Sequence, residues 1–249
     1  MNDYDIDSRT RGSGIRLYGP EGFEGMRRAG RLAAECLDML TPHVTPGVET
    51  AYIDDLAREF ILDHGGAYPA CLYYKGYGHT VCISPNHVVC HGIPGGRTNQ
   101  RLSEGDIANI DVTVIVDGWH GDTSRMYPVG EISAKARRLV QTTYDSFDLG
   151  LAQIKPGNHV GDIGHAIQAH VEAQRMSVVR DFCGHGVGQI FHDNPNILHY
   201  GFKCTGLDGK SGIGFTVEPM VSLGRYDVKV LSDSWTALVR DKCLSSHCE

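Results

Sequence analysis

The chain has 249 residues, of which 41% are hydrophobic and 21% charged, and its 23 Lys and Arg against 30 Asp and Glu give a net charge of −7. This length and hydrophobic fraction are typical of one large or two small globular domains, and they exclude disordered and collagen-like classes. The acidic balance argues against a protein that neutralises nucleic-acid phosphates, so no DNA partner is expected. The longest apolar runs are interrupted by polar residues and are too short to span a membrane.

Residues 1–14 are polar and contain glycine, which predicts a flexible N-terminal segment. The segment is acidic and has no apolar stretch, so it resembles neither a secretory signal nor a mitochondrial presequence. The eight cysteines are scattered singly through a chain that is too large to need disulfides for its stability. We therefore expect reduced thiols and a cytoplasmic protein.

The first half of the chain predicts two helices followed by strands. Apolar residues recur at three-to-four spacing over 21–40 and again over about 50–64, on either side of Pro46-Gly47. Four β-rich segments follow, at 80–83, 87–91, 107–116 and 119–127.

The second half predicts the same succession. Helices are expected over about 133–152 and through 163–171, on either side of Pro156-Gly157. Four β-rich segments follow, at 178–183, 214–218, 228–231 and 236–239.

The order helix, Pro-Gly, helix, strands therefore occurs twice, and the two Pro-Gly dipeptides are 110 residues apart. Self-similarity of this kind indicates a duplicated unit. We expect two related α/β halves, at about 21–130 and 131–249, which share one sheet system within a single domain over residues 15–249.

The most informative segment is the β-rich pair on either side of Asp117-Gly118, because Asp-Gly between two such runs is a strong hairpin signal. With this turn, Thr113 faces Asp122, and Asp111 lies diagonal to Asp122 on the same face, roughly 7–8 Å away. Two carboxylates so placed repel each other. A solvent-exposed polar face and a bound cation both account for the pattern, and the hairpin alone leaves the two open.

Other residues suited to metal chemistry end further β-rich segments. His185 lies between two glycines, His192 follows seven residues later, Glu218 ends one segment and His91 another. Asp, His and Glu without Cys form a hard, oxygen-rich site that suits Mn(II), Fe(II), Co(II) or Zn(II). Several carboxylates with few histidines favour a pair of bridged ions that activate water, and hydrolysis is the natural use of such a site.

Several ordered segments together resemble the type I methionine aminopeptidases of the M24 peptidases. The matching segments are 88–94, 109–114, 118–124, 183–188, 191–192 and 216–220, and the likeness runs from about residue 22 to the end of the chain. Only 33 residues separate His185 from Glu218, which leaves no room for the long insertion of the type II enzymes. The resemblance implies a mixed α/β (α+β) pita-bread fold with two pseudo-symmetric halves around a curved antiparallel sheet.

The same resemblance implies a metallo-aminopeptidase that hydrolyses the initiator methionine from nascent proteins and peptides through a metal-bridging hydroxide. Two divalent ions (Co, Mn, Fe or Zn) would be held by Asp111, Asp122, His185, Glu218 and Glu249. Asp122 and Glu249 would bridge the ions, and Glu218 would also act as general base. His192 would hydrogen-bond the scissile carbonyl oxygen, and His91 would contact the substrate amide. The methionine side chain would lie against Cys71, Tyr74, Tyr77, Cys82, Phe191 and Trp235.

The chain departs from the family's pattern at three positions. The family's fifth ligand lies inside a terminal strand, whereas here the sequence stops at Glu249, so we expect the end of that strand to be missing and Glu249 to fray. Lys75 and His79 stand where the family usually has His and Lys, which we expect to alter substrate access.

Two other functions compete with this interpretation. One is another pita-bread peptidase, such as a prolidase or aminopeptidase P, but those enzymes carry a large N-terminal domain for which this length leaves no room. The other is a binding protein that keeps the fold and has lost catalysis. The expected partners are a peptide with an N-terminal methionine and, by the family's example, the ribosome and its nascent chain. We expect no DNA or membrane partner, and a monomer.

Overall fold

A computed structural model describes residues 14–97 and 99–249. The prediction of a flexible segment over 1–14 therefore falls, apart from Gly14, outside the described residues. All four predicted helices are present: α1 (Pro20–Leu40), α2 (Thr50–Asp63), α3 (Ala134–Leu151) and α4 (Val160–Ala173). Two short 3₁₀ helices, Thr41–His43 and Tyr74–Gly76, accompany them. No helix in the described ranges combines the length and apolarity that crossing a bilayer requires.

The described residues form twelve strands, all paired antiparallel. They are β1 (Ala67–Pro69), β2 (Cys82–Pro85), β3 (Val88–Cys90), β4 (Ile107–Val116), β5 (Trp119–Pro128), β6 (Ser177–Val178), β7 (Gly184–Gly186), β8 (Asp193–Ile197), β9 (Met220–Ser222), β10 (Val228–Val230), β11 (Ala237–Val239) and β12 (Ser245–His247). Strand β4 pairs with β1, β2 and β5, and three smaller sheets have the orders β10-β11-β3, β12-β9-β6 and β7-β8.

The long β4–β5 hairpin confirms the predicted turn and register. Asp117 and Gly118 have φ angles of 51° and 79°, as a type I′ turn requires. Thr113 pairs with Asp122, as predicted. The opposite face carries Ile110 and Val112, both fully buried against the helices of the first half.

Two helix pairs cover the strands. Helices α1 and α2 contribute Leu37, Leu40 and Ile53 to a core that includes much of β4, whereas α3 and α4 contribute Leu139 and Ile167 to a second core with residues of β6 and β9. The mixed α/β fold is therefore confirmed. Gly47 and Gly157 of the two Pro-Gly dipeptides have φ angles of 88° and 89°. The division into repeats at about 21–130 and 131–249 stays a prediction.

Two strand predictions in the second half were wrong. The segment predicted at 178–183 is a strand only at its first residue, and the segment at 214–218 makes one isolated bridge, after which β9 begins at Met220. The extended chain at 214–218 bonds instead to the irregular segment around His185, with Thr216 N donating to the His185 carbonyl at 2.8 Å and Val187 N to the Gly214 carbonyl at 3.0 Å. A glycine-rich partner supports these bonds but not a continuous ladder.

Helix α1 crosses β5 at Gly121 with no space for a side chain. A Cβ atom at Gly121 would lie 2.2 Å from the carbonyl carbon of Ala29 and from the amide nitrogen of Gly30. We expect Gly121→Ala to separate α1 from the sheet and to lower the free energy of unfolding by roughly 1–3 kcal/mol in urea titrations. Gly30→Ala is the matched control: its Cβ would meet nothing within 4 Å, so we expect a gain of roughly 0.5–1 kcal/mol from helix propensity. Equal effects at the two positions would contradict this account.

Candidate active site

The five predicted metal ligands come from five separate segments. Asp111 lies on β4 and Asp122 on β5. His185 is the middle residue of β7, Glu218 lies just before β9, and Glu249 follows β12. Ligand atoms of Asp122, His185 and Glu249 all lie within 4.8 Å of one another. Nε2 of His185 is 3.5 Å from Oδ2 of Asp122 and 3.7 Å from Oε1 of Glu218. The structure therefore brings the predicted ligands together.

The carboxylates of this cluster lack the partners that buried charges need. In the described part of the chain, Oδ1 of Asp111 and Oε1 of Glu249 are buried and accept no hydrogen bond. Burial, and next the negative charge of Asp122, raise the pKa of both side chains well above their ordinary values. No described Lys or Arg forms an ion pair with any of the four carboxylates. The donor set therefore fits divalent cations, which would supply the missing positive charge.

His185 is oriented as a metal ligand would be. Its Nδ1–H donates to the carbonyl of Gly186 at 3.0 Å, which leaves Nε2 directed at Asp122 and Glu218. Burial alone would lower the pKa of His185, but its hydrogen bond with Asp122 and the charge of Glu218 outweigh burial and raise the pKa.

Glu218 is held by residues for which the sequence analysis assigned no role. Thr216 Oγ1 donates to its Oε1 at 2.7 Å, and the Glu218 main-chain N–H donates to Nε2 of His199 at 3.0 Å. His247 lies behind it, with Nε2 3.9 Å from Oε2. Burial lowers the pKa of His199 and of His247 to about 3. The two imidazoles behind Glu218 are thus neutral, and burial raises the pKa of Glu218 itself to about 7.

Strand β12 and Glu249 are attached to the central hairpin. Asn109 Nδ2 donates to Ser124 Oγ at 3.0 Å and to the main-chain oxygen of His247 at 2.8 Å. The main-chain oxygen of Glu249 accepts from Thr123 Oγ1 at 2.9 Å and from Ser124 N at 3.4 Å. These contacts hold Glu249 against β5. The expectation that Glu249 would fray was therefore wrong.

The five predicted ligands and the eight predicted substrate-binding residues line one cavity of about 550 Å³. The substrate-binding set is His91, His192, Cys71, Tyr74, Tyr77, Cys82, Phe191 and Trp235. Further lining residues include Lys75, Thr113, Asp181, Phe182, Asp193, Asn194, Asn196 and Met220. The predicted metal-binding residues and the apolar residues therefore line the same cavity.

Aromatic contacts order one wall of the cavity. Tyr74 stacks on His192 with ring centroids 5.3 Å apart and lies 4.9 Å from Phe191. His192 in turn lies 4.3 Å from His185. Burial, and next the charge of His185, lower the pKa of His192 to about 4, and burial also lowers the pKa of His91. Both imidazoles are therefore neutral near pH 7 and can donate a hydrogen bond without carrying charge.

A buried carboxylate outside the cavity holds the segment that leads into it. Oδ1 of Asp54, on α2, accepts from Thr80 N at 2.8 Å and from Val81 N at 2.9 Å. Its Oδ2 contacts Arg58 at 3.2 Å and His79 at 3.3 Å. The bonded amides lie between Tyr77 and Cys82, both of which line the cavity. Asp54 therefore positions this wall.

Some of the supporting residues left a signal in the sequence and others did not. Thr113 donates to Oδ1 of Asp122 at 2.6 Å, and strand alternation had already placed it on the carboxylate face. The same alternation relates Thr216 to Glu218. His199 and His247 carry no local signal, because each reaches Glu218 from a segment that is distant in the chain.

The comparisons with known proteins agree with this geometry. The model of metallopeptidase family M24 matches residues 24–240. The chain is 52% identical to a methionine aminopeptidase of Rickettsia prowazekii over 237 residues, which cover 94% of this chain and 90% of the relative. It is 48% identical to the methionine aminopeptidase of Escherichia coli over 235 residues, covering 94% of this chain and 88% of the relative.

Solved structures give the same result. The crystal structure of methionine aminopeptidase from Rickettsia prowazekii matches with a TM-score of 0.91 at 51% sequence identity. The crystal structure of methionine aminopeptidase from Thermotoga maritima matches with a TM-score of 0.90 at 35% identity. Each match covers 94% of this chain and 93% of the other chain. A prolidase from Pyrococcus furiosus, at 17% identity and a TM-score of 0.68, shares the fold, and the match covers 97% of this chain and 64% of that one. The resemblance found in the sequence is confirmed, and the chain belongs to metallopeptidase family M24.

Proposed function

We propose that this chain is an aminopeptidase that removes the N-terminal methionine from peptides and nascent proteins. The observation that carries the proposal is the single cavity in which an acidic, metal-binding wall faces an apolar wall of sulfur and aromatic groups. The names of the relatives at 48% and 52% identity support the same activity. A monomer that acts in the cytoplasm and meets nascent chains at the ribosome belongs to the proposal as well.

The metal site in this proposal consists of two divalent ions, of Co, Mn, Fe or Zn, on the five converging side chains. The unpartnered oxygens of Asp111 and Glu249 are the structural observation that supports it. When bound, such ions lower the pKa of water and offset negative charge on a carbonyl oxygen.

The chain's own residues would divide the remaining work. Glu218, held by Thr216, would accept the proton of the attacking water and return it to the departing amine. His192 would donate a hydrogen bond to the scissile carbonyl oxygen as charge develops there, since its imidazole is neutral. His91 would contact the amide nitrogen that becomes the leaving group.

The apolar wall suits the methionine side chain. Tyr77 and Trp235 meet at 4.9 Å between ring centroids, edge to face. The thiols of Cys71 and Cys82 line the same cavity. Aromatic edges and polarizable sulfur make favourable contacts with a flexible thioether, which gives methionine an advantage over isosteric alkyl side chains.

The direct test is hydrolysis of Met-Ala-Ser with added Co(II), Mn(II) or Fe(II). We expect release of methionine, and a loss of kcat of about 100-fold or more in Asp111→Asn and in Glu218→Gln, because each removes a predicted ligand or base. Asp145→Asn, on α3 and not among the residues that line the cavity, is the control and should keep wild-type kcat. A protein that binds one metal ion or none and releases no methionine would be a binding protein instead.

Removal of the metal should make stability depend on pH. The pKa of Glu218 is raised from 4.5 to about 7 in the metal-free protein, so folding favours its protonated form. This stability is present below pH 4.5 and is lost as pH rises through about 7, a loss of roughly 3 kcal/mol. The pKa of His185 is also raised, so its contribution to the stability of the fold is lost in the same direction, as pH rises. We expect the Tm of chelator-treated protein to decrease as pH is raised from 5 to 8. Added Mn(II) should raise the Tm at every pH, and by the largest amount at pH 8. A Tm that rises with pH in the chelated protein would contradict the proposal.

Asp54 provides a test of the cavity wall. We expect Asp54→Asn to raise KM for a methionyl peptide several-fold, because an amide cannot replace all four contacts of the carboxylate, and to lower stability by roughly 1–3 kcal/mol. Asp55→Asn is the matched control: its side chain is 63% exposed and contacts the same Arg58 at 3.6 Å, so KM should not change. A lower kcat at unchanged KM would place Asp54 in another role.

A further inference from the structure

The mouth of the cavity carries one cationic side chain. Lys75 is exposed and is the only Lys or Arg among the described residues that line the cavity. Its Nζ lies over the ring of Tyr74, 5.1 Å from the centroid. In the described part of the chain, no carboxylate lies within ion-pair distance of this Nζ. Its charge is therefore available to whatever occupies the mouth.

The backbone fixes where this charge is presented. Lys75 has a φ angle of +47°, and two nearby residues, Tyr73 and Gly76, have φ angles of +67° and +87°. A left-handed lysine costs about 1 kcal/mol relative to a right-handed one. The turn is closed by Tyr77 N donating to the Tyr74 carbonyl at 2.9 Å and by Tyr73 N donating to the Tyr77 carbonyl. Lys75 is thus attached to the wall that carries Tyr74 and Tyr77.

Two ring contacts set an upper limit on the distance from Nζ of Lys75 to the His192 ring. Nζ lies 5.1 Å from the Tyr74 ring, and that ring lies 5.3 Å from His192. Lys75 also adds to the lowering of the His192 pKa, after burial and the charge of His185. An extended peptide advances about 3.3 Å per residue. With the scissile carbonyl at His192, an extended peptide would bring the side chain of its third residue within reach of Nζ.

The other charges of the cavity leave this position cationic. Four of its carboxylates belong to the proposed metal site. Asp193 is paired with Arg16, with Nε 3.0 Å from Oδ2. Asp181 remains as an exposed carboxylate on the lining. It repels an approaching anion and so partly offsets the attraction of Lys75. We propose that Lys75 forms a subsite for an acidic side chain at the third residue of the peptide substrate, an inference that rests on the proposed aminopeptidase function.

The test compares kcat/KM for Met-Ala-Glu-Ser and Met-Ala-Gln-Ser, which differ in one charge. We expect wild type to favour the Glu peptide by about two- to fivefold, as a solvent-exposed ion pair allows. The preference should disappear in Lys75→Gln, reverse in Lys75→Glu, and shrink in 1 M salt. Lys135→Gln removes an exposed lysine of α3 that does not line the cavity, and it should keep the wild-type ratio.

The outcomes separate the two levels of the proposal. Equal rates for the two peptides in wild type, or a Glu preference that survives in Lys75→Glu, would overturn the subsite while leaving the aminopeptidase function intact. If Lys135→Gln removes the Glu preference as fully as Lys75→Gln does, the preference is an effect of net charge, and the subsite is overturned as well. If wild type cleaves neither peptide, nor Met-Ala-Ser, the aminopeptidase function fails and the subsite fails with it.

Discussion

Repulsion among buried carboxylates is the constraint on which the rest of this structure depends. Asp111, Asp122, Glu218 and Glu249 converge from both halves of the chain without a Lys or Arg among their described ion-pair partners, and two of their oxygens have no described hydrogen-bond donor. A fold that holds like charges this close without compensation loses stability at neutral pH. The arrangement is therefore stable in proportion to the positive charge that the site takes up, which couples folding to metal binding.

The scaffold withstands this repulsion because the predicted ligands lie on elements that are fixed elsewhere. The β4–β5 hairpin has a buried apolar face beneath α1, and the close crossing at Gly121 keeps that helix near. Asn109 joins the hairpin to β12, so the segment that carries Glu249 shares the same support. Rigid support of this kind lets the ligand side chains keep their positions while the charge of the site changes.

Much of the fold and most of the candidate site were predictable from local patterns. Apolar periodicity predicted all four helices, and Asp117-Gly118 predicted the turn and the register that places Asp122 opposite Thr113. The convergence of His185, Glu218 and Glu249 on that hairpin was not predictable from local physics, because it depends on pairing between distant segments. Residue type favoured a metal site that includes His185 and Glu218, whereas Glu249 was expected only from the resemblance to a known family. The short strands β7 and β8 were missed since glycine and polar residues break the alternation that marks a strand.

The two neutral imidazoles behind Glu218 have a consequence for the path that protons take. His199 uses Nε2 to accept from the main chain, and His247 lies 3.9 Å from the carboxylate with its pKa lowered to about 3. Neither imidazole can therefore store a proton that Glu218 releases toward the interior. Among the described residues the carboxyl group therefore has no proton acceptor on its interior side, and it faces His185 and the cavity on the other. For the base proposed above, each proton taken from water would then leave with the amine or pass to solvent, so departure of the shortened peptide would regenerate the base.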